Sequence, residues 1–253
     1  EDAHRADYAA AIDMGTWIRD AALAHALTGE ARYAKRAIDL LRHWCVDPET
    51  RMAPSAINHG PHQAGFAGQH SIEHYITIPA MFYGASLVAD HPHWDDVGGA
   101  AALDEWARAF VESAEADGTF YGNNVGAWQV AARATVAAYA DDGAGVRRAV
   151  DDWRGRVLGQ VTPDGGLAAE RNRTRSLFYS VYALKALVLT AEVARHRGVD
   201  LYGHVVDDVD GPVLRAIADF HAPFLLEPST WPHEELGRLG PRERMAAASV
   251  YEL

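Results

Sequence analysis

Apolar residues recur three and four positions apart over residues 8 to 28 (YAAAIDMGTWIRDAALAHALT) and again over 31 to 45 (ARYAKRAIDLLRHWC). Alanine and leucine dominate both runs and β-branched alternation is scarce, so each run predicts an α-helix. The break at Thr28-Gly29-Glu30 is a short turn, which makes the two a helical hairpin. The same order then recurs: an alanine-rich helix, a turn of Asp, Gly, His or Pro, a second helix holding a Trp or Phe, and a loop rich in Gly and Pro. The turns fall at LTGEA (27 to 31), ADHPHW (89 to 94), ADDGAG (140 to 145) and RHRGVD (195 to 200). A spacing of roughly 50 to 60 residues is a period of stacked or circular helical repeats.

Two stretches match in detail. LTGEARYAKRAIDLLRHWCVDPETRM and ADDGAGVRRAVDDWRGRVLGQVTPDGGL share turn, basic and tryptophan positions and a similar exit loop. Four sequentially adjacent hairpins predict an all-α fold, an α/α toroid or incomplete α/α barrel, with an irregular helical bundle as the alternative. No linker or composition break divides the chain, so a single domain over residues 1–253 is expected. Trp17, Trp44, Trp106 and Trp153 are assigned to packing between the helices.

Composition narrows the classes of function. Of 253 residues 49% are hydrophobic, enough for one large core or two small ones. Lys plus Arg number 23 against 35 Asp plus Glu, a net charge of −12 that argues against a nucleic-acid or anionic-membrane surface. An anionic ligand must therefore be met by a local basic pocket inside an acidic shell. Cys45, the sole cysteine, cannot form an internal disulfide and points to no redox compartment. No run of about 18 apolar residues and no basic-then-apolar leader occurs. The chain opens at Glu1 without a Met and almost at once in helical pattern, which is what removal of a leader or of earlier helices would leave.

Hairpins running in one sense around a ring would bring the loops after every second helix to one face, where they can line a cleft. Those loops hold the unusual residues: RMAPSAINHGPHQAGFAGQHSIEH (51 to 74), DGTFYGNNVGAW (117 to 128), TPDGGLAAERNRTR (162 to 175) and LLEPSTWPHEEL (225 to 236). On a helix of about 100° per residue, Leu177, Val181, Leu184 and Val188 share one sector while Arg175, Tyr179 and Tyr182 group opposite. One face is thus aliphatic and the other cationic and phenolic, entered directly from a loop that also carries Arg171 and Arg173. In YGNNVGAW, Asn123 and Asn124 open an alanine-rich helix. Capping explains one of them; two amides flanked by Tyr121 and Trp128 suit a carboxylate met by carboxamides and exposed backbone N–H groups.

With RSLFYSVYAL and NNVGAW in view, the chain resembles the alginate lyase family, polysaccharide lyase family 5 and its relatives. Members are α/α toroids with an Asn-Asn-His-Ser-Tyr-Trp type motif on one helix and, on a later one, an Arg followed seven residues on by a Tyr. The second motif is well kept, placing the family's arginine at Arg175 and its reactive tyrosine at Tyr182. In the first, Asn124 matches the carboxylate-binding asparagine and Trp128 the tryptophan, but Val125 stands where the histidine belongs. The resemblance implies lyase activity on an acidic polysaccharide, a secreted or periplasmic location, no cofactor, and further N-terminal helices ahead of Glu1.

β-Elimination across a glycosidic bond removes the C5 proton of a uronic acid, which is too weakly acidic unless the adjoining carboxylate is neutralised. Asn124 and Arg175 suit that task. A tyrosine ionises near pH 10 and needs nearby cations, Arg175 with Arg173 or Arg171, to act as base. In mannuronate and glucuronate the C5 hydrogen and O4 share one side of the ring, so Tyr182 alone can take the proton and return it to O4. In guluronate and galacturonate they lie on opposite sides, and a separate base is needed. Val125 therefore favours mannuronate or glucuronate, unless a histidine from elsewhere serves.

His59, His62, His70 and His74 lie in the first loop; His62 and His70 are candidates for proton transfer and His59 for holding substrate. The spacing of His70 and His74 suits a divalent metal, but no third ligand is fixed by spacing, so no metal is assigned. Asn123, Tyr121, Trp128, Tyr179, Arg173 and Trp231 complete the expected substrate contacts, the two tryptophans as stacking platforms or as core. Two other classes stay open. A glycoside hydrolase would need paired acids, for which Asp164, Glu170 and Glu227 are available; a sugar-binding protein would have kept the cleft and lost turnover.

Overall fold

A computed structural model describes residues 6–55, 72–116 and 120–236. Ten α-helices cover most of these residues: α1 Ala6–Thr28, α2 Ala31–Leu41, α3 Ile72–Leu87, α4 His93–Val97, α5 Ala100–Ala116, α6 Asn124–Tyr139, α7 Gly143–Asp152, α8 Ala168–Arg171, α9 Ser176–His196 and α10 Val213–Leu226. The expected turns separate α1 from α2, α3 from α4 and α6 from α7, and RHRGVD ends α9. The described residues contain no strand, only two isolated bridges, Val161 with Leu167 and Arg175 with Glu235.

The chain packs as two compact units, residues 1–119 with 135–142 and residues 120–134 with 143–253. In the first, α1 lies along α3 and α2. Ala11, Met14, Ile18 and Ala22 form its buried stripe at three- and four-residue spacing. Trp106 stacks between Phe82 and Phe110, at 6.2 and 5.7 Å between ring centroids, and donates its indole N–H to the Met52 carbonyl at 2.8 Å. Cys45 is buried there, and burial pushes its thiol well above the usual range. Trp17 departs from the packing assignment: next to Ile18, it lies about 100° round α1 from the buried stripe and is 52% exposed.

In the second unit α9 is the central helix. Leu177, Val181, Leu184 and Val188 are buried, as the helical wheel requires, together with Ser176, Ser180, Ala183 and Leu187 on the flanking positions. By length and composition α9 could cross a membrane, but 61% of that window is buried inside the protein, which accounts for its apolar character. Trp153, fully buried, donates its indole N–H to the Leu187 carbonyl at 3.2 Å. Gly165, at φ +85°, turns the chain beneath α10: a β-carbon there would sit 2.3 Å from the Ala216 carbonyl oxygen.

Candidate active site

The two sequence motifs meet within the second unit. At the start of α6, the Asn123 side-chain oxygen accepts the Val125 N–H at 3.0 Å, the ordinary N-cap bond. Gly126 permits a close approach: a β-carbon there would lie 1.7 Å from the Tyr121 carbonyl oxygen, so only glycine lets the preceding loop fold onto the first turn. Asn124 points the other way. It is 1% exposed; its backbone N–H reaches Glu170 Oε1 at 2.6 Å, and its Nδ2 lies 3.0 Å from both Glu170 oxygens. The exposed N–H groups expected at this terminus are thus already engaged, one by Asn123 and one by a resident carboxylate.

Glu170 is fully buried, with the Arg173 guanidinium 3.8 Å away. Burial pushes its carboxyl above the usual value, while the bonds from Asn124 and the charge of Arg173 oppose that rise. One turn further on, Arg175 precedes α9. It is 34% exposed, lies over the Phe178 ring at 4.3 Å and stands 3.8 Å from Glu235. Glu235 supplies the cap that Arg175 cannot: one of its oxygens accepts the N–H groups of Leu177 at 2.8 Å and Phe178 at 3.3 Å, and a carboxylate suits the positive end of the helix dipole. The bridge between Arg175 and Glu235 ties this segment to the chain entering α9.

Tyr179 and Tyr182 are half-buried on the face opposite the aliphatic stripe. The Arg173 guanidinium lies 4.1 Å over the Tyr179 ring, and the Tyr182 ring stacks on Phe178 at 5.6 Å. Trp128 reaches from α6 to place its ring 5.0 Å from that of Tyr182, joining NNVGAW to RSLFYSVYAL directly. Trp128 and Trp231 are both buried. Trp231 donates to Ser176 Oγ at 2.7 Å, and Ser176 donates to the Glu234 carbonyl at 2.6 Å. Val125 is half-buried beside Asn124. His59, His62 and His70 lie outside the described residues, as does the side chain of His74.

Sequence reasoning misses the actual roles of three groups. It offers Glu170 only as a hydrolase acid, passes over Glu235, and finds no motif around His221. His221 is fully buried; its Nδ1–H donates to the Ile217 carbonyl at 2.7 Å and its Nε2 has no partner among the described residues. Burial pushes this imidazole down to about 4, a trend the Ile217 bond opposes and nearby Arg171 assists. Arg171 itself is held by both oxygens of Asp164, at 2.7 and 2.6 Å, and lies over the Phe220 ring at 4.9 Å. Burial works to raise the Asp164 carboxyl, but hydrogen bonds from Thr162, Arg171 and the Gly166 N–H outweigh it and hold it at about 2.

Helical hairpins, with an asparagine-bearing helix start packed against the cationic-phenolic face of a later helix, place the chain in the all-α class built as an α/α toroid. The alginate lyase family model matches residues 1–231, and the chain belongs to the alginate lyase family. An alginate lyase from Bacteroides ovatus superposes with a TM-score of 0.83 at 22% identity, covering 96% of this chain and 66% of that one. Alginate lyase A1-III from Sphingomonas species A1 gives 0.73 at 16% identity, covering 95% and 67%. A histidine-to-alanine variant of A1-III complexed with a tetrasaccharide gives 0.69 at 16% identity, covering 88% and 64%. At these identities the likeness establishes the fold, an all-α toroid of helical hairpins. The chain spans roughly two thirds of the length of these lyases. None of the curated proteins compared with it matches.

Proposed function

We propose that the protein is a polysaccharide lyase that cleaves a mannuronate- or glucuronate-containing polymer by β-elimination. The observation that carries this reading is the contact of Trp128 with Tyr182, which brings the asparagine motif of α6 against the arginine-tyrosine face of α9. Arg175 and Asn124 neutralise the sugar carboxylate, so that the C5 proton becomes removable. Tyr182, as phenolate, takes that proton. The C5 electron pair forms the C4–C5 double bond, the C4–O4 bond breaks, and the phenolic proton passes to the departing O4. Val125, where the family motif has a histidine, offers no base at that position, which suits a substrate whose C5 hydrogen and O4 lie on one side. The tetrasaccharide bound by the A1-III variant supports an acidic oligosaccharide as the ligand class.

The hydrolase reading has weaker support. Glu170 is buried against Asn124, and Asp164 is ionised and clamped by Arg171, so neither is placed to protonate a leaving oxygen.

The test is to incubate the protein with poly-mannuronate, glucuronan, poly-guluronate and polygalacturonate, following the ultraviolet absorbance of the unsaturated product, with Tyr182→Phe as control. Absorbance should rise on the first two polymers only, and only with Tyr182 present. Absence of both absorbance and new reducing ends on all four would make the protein a sugar-binding relative.

A further inference from the structure

A single buried carboxylate holds Asn124 at two points. Glu170 Oε1 accepts the Asn124 backbone N–H at 2.6 Å, and both Glu170 oxygens lie 3.0 Å from its Nδ2. An asparagine side chain turns about two bonds, and a grip on its backbone and its tip together stops both rotations. Among the described residues the Asn124 Oδ1 has no partner, so the amide takes its direction from Glu170. The reversed amide would set an oxygen against two carboxylate oxygens, none of them a donor. A carboxylate that meets Nδ2 with both oxygens engages one of its hydrogens. The other points clear of Glu170 and stays available as a donor.

A resident anion would oppose a second anion nearby, and Arg173 offsets it. Its guanidinium stands 3.8 Å from Glu170 and over the Tyr179 ring at 4.1 Å. The Glu170 and Arg173 pair therefore adds no net charge where a uronate is to bind.

We propose that Glu170 is a positioning residue of the reaction: it takes one amide hydrogen of Asn124 and thereby aims the other at the carboxylate of the sugar being cleaved. The assignment rests on the uronate reading above, in which Asn124 and Arg175 neutralise that carboxylate. Glu170 itself does not touch the sugar. Its effect is greatest as the C5 proton leaves and negative charge flows into the carboxylate, because a donor fixed beforehand needs no reorganisation at that moment.

Glu170→Met keeps the length of the side chain and removes both its charge and its acceptors. Charge and aim then predict opposite signs. Taking a negative charge from beside an anion site tightens uronate binding, whereas losing the aim of Asn124 weakens it. Glu170→Asp keeps the charge and withdraws the grip by one methylene. Each would be made in a Tyr182→Phe background and titrated calorimetrically, well below its Tm, with a mannuronate tetrasaccharide and with the same sugar after reduction of its carboxyls to alcohols. Turnover on poly-mannuronate would be followed with Tyr182 present.

Glu170→Met should weaken binding of the uronate about tenfold and leave binding of the reduced sugar within about twofold of the parent. It should lower kcat about 100-fold, more than it raises KM. Glu170→Asp should show the same dependence on the sugar carboxyl with smaller losses, and it decides the question if Glu170→Met does not fold. The proposal is overturned if Glu170→Met binds the uronate as tightly as the parent or more tightly. It is overturned too if either variant loses affinity equally for both sugars, since a merely structural role does not distinguish them. A native chain that binds the tetrasaccharide without releasing unsaturated product refutes the lyase reading, while the Kd comparison still decides whether Glu170 aims Asn124. A native chain that binds neither sugar, or both alike, refutes the assignment itself.

Discussion

The two units bury different chemistry. Among the described residues the first buries two polar side chains, Thr77 and Thr135, within a core of aliphatic and aromatic groups. The second buries eight: Asn124, Gln129, Gln160, Glu170, Ser176, Ser180, Thr190 and His221. A buried polar group costs free energy unless it is bonded, and a buried carboxylate costs most. The second unit therefore bears a desolvation cost that the first avoids. Four of its buried polar groups, Asn124, Glu170, Ser176 and Ser180, lie in the motif segments around Arg175 and Tyr182. The described part of the first unit is stabilised by packing. The second gives up some of that stability to hold side chains in fixed orientations.

This contrast can be broken by substitutions whose effects fall on turnover, on stability, or on neither. The largest effect is expected at Tyr182→Phe, which should cost about 10²- to 10⁴-fold in turnover, with a urea unfolding curve that matches the parent. Next is Phe82→Ala in the first unit, expected to cost about 3–5 kcal/mol in urea unfolding. Its kcat/KM, measured well below the lowered Tm, should stay at the parent value, and a parallel fall in activity would show that the first unit is more than scaffold. Glu170→Ala strands the Asn124 N–H and amide in a dry site and should cost about 3 kcal/mol. Unlike Phe82→Ala, it should lower kcat/KM even under conditions where the fold is intact.

His221 makes the contrast depend on pH. Its native value of about 4 lies below the ordinary 6.5, so the unfolded chain binds the extra proton first. Its contribution is present in full above about pH 6.5 and is lost as pH falls from there toward 4. Between pH 7 and pH 5 that loss is about 2 kcal/mol. His221→Leu should remove this part of the slope when unfolding is followed at both values. The smallest effect belongs to Trp17→Ala, expected within about 0.5 kcal/mol because half of the side chain is already in water.

What could be foreseen follows from the range of the interactions. Hairpin turns and the two faces of α9 are set by residues a few positions apart, and a period of about 3.6 residues exposes them. Asn123 as a cap is local too, through its bond to Val125. Glu170 and Glu235 are not local: they act on residues 46 and 58 positions away, and as isolated glutamates in a polar loop they carry no sign of a partner. His221 looks like any histidine on a mixed helix until α10 packs on α9 and Trp231 closes over the ring. Trp17 shows the opposite error, since residue type suggests core where the angle around α1 leads outward.

The seat of Glu235 on the first turn of α9 bears on how the protein can be shortened. The family match ends at residue 231, which invites a cut at that boundary. Such a fragment would keep Arg175, Tyr179 and Tyr182 in sequence but lose the carboxylate bonded to the Leu177 and Phe178 N–H groups and the bridge that pairs with Arg175. The helix bearing Tyr182 would then begin uncapped, free to fray through Arg175. The smallest piece that can hold the candidate site therefore runs at least to Leu236, whose N–H closes on the Thr174 carbonyl at 2.5 Å.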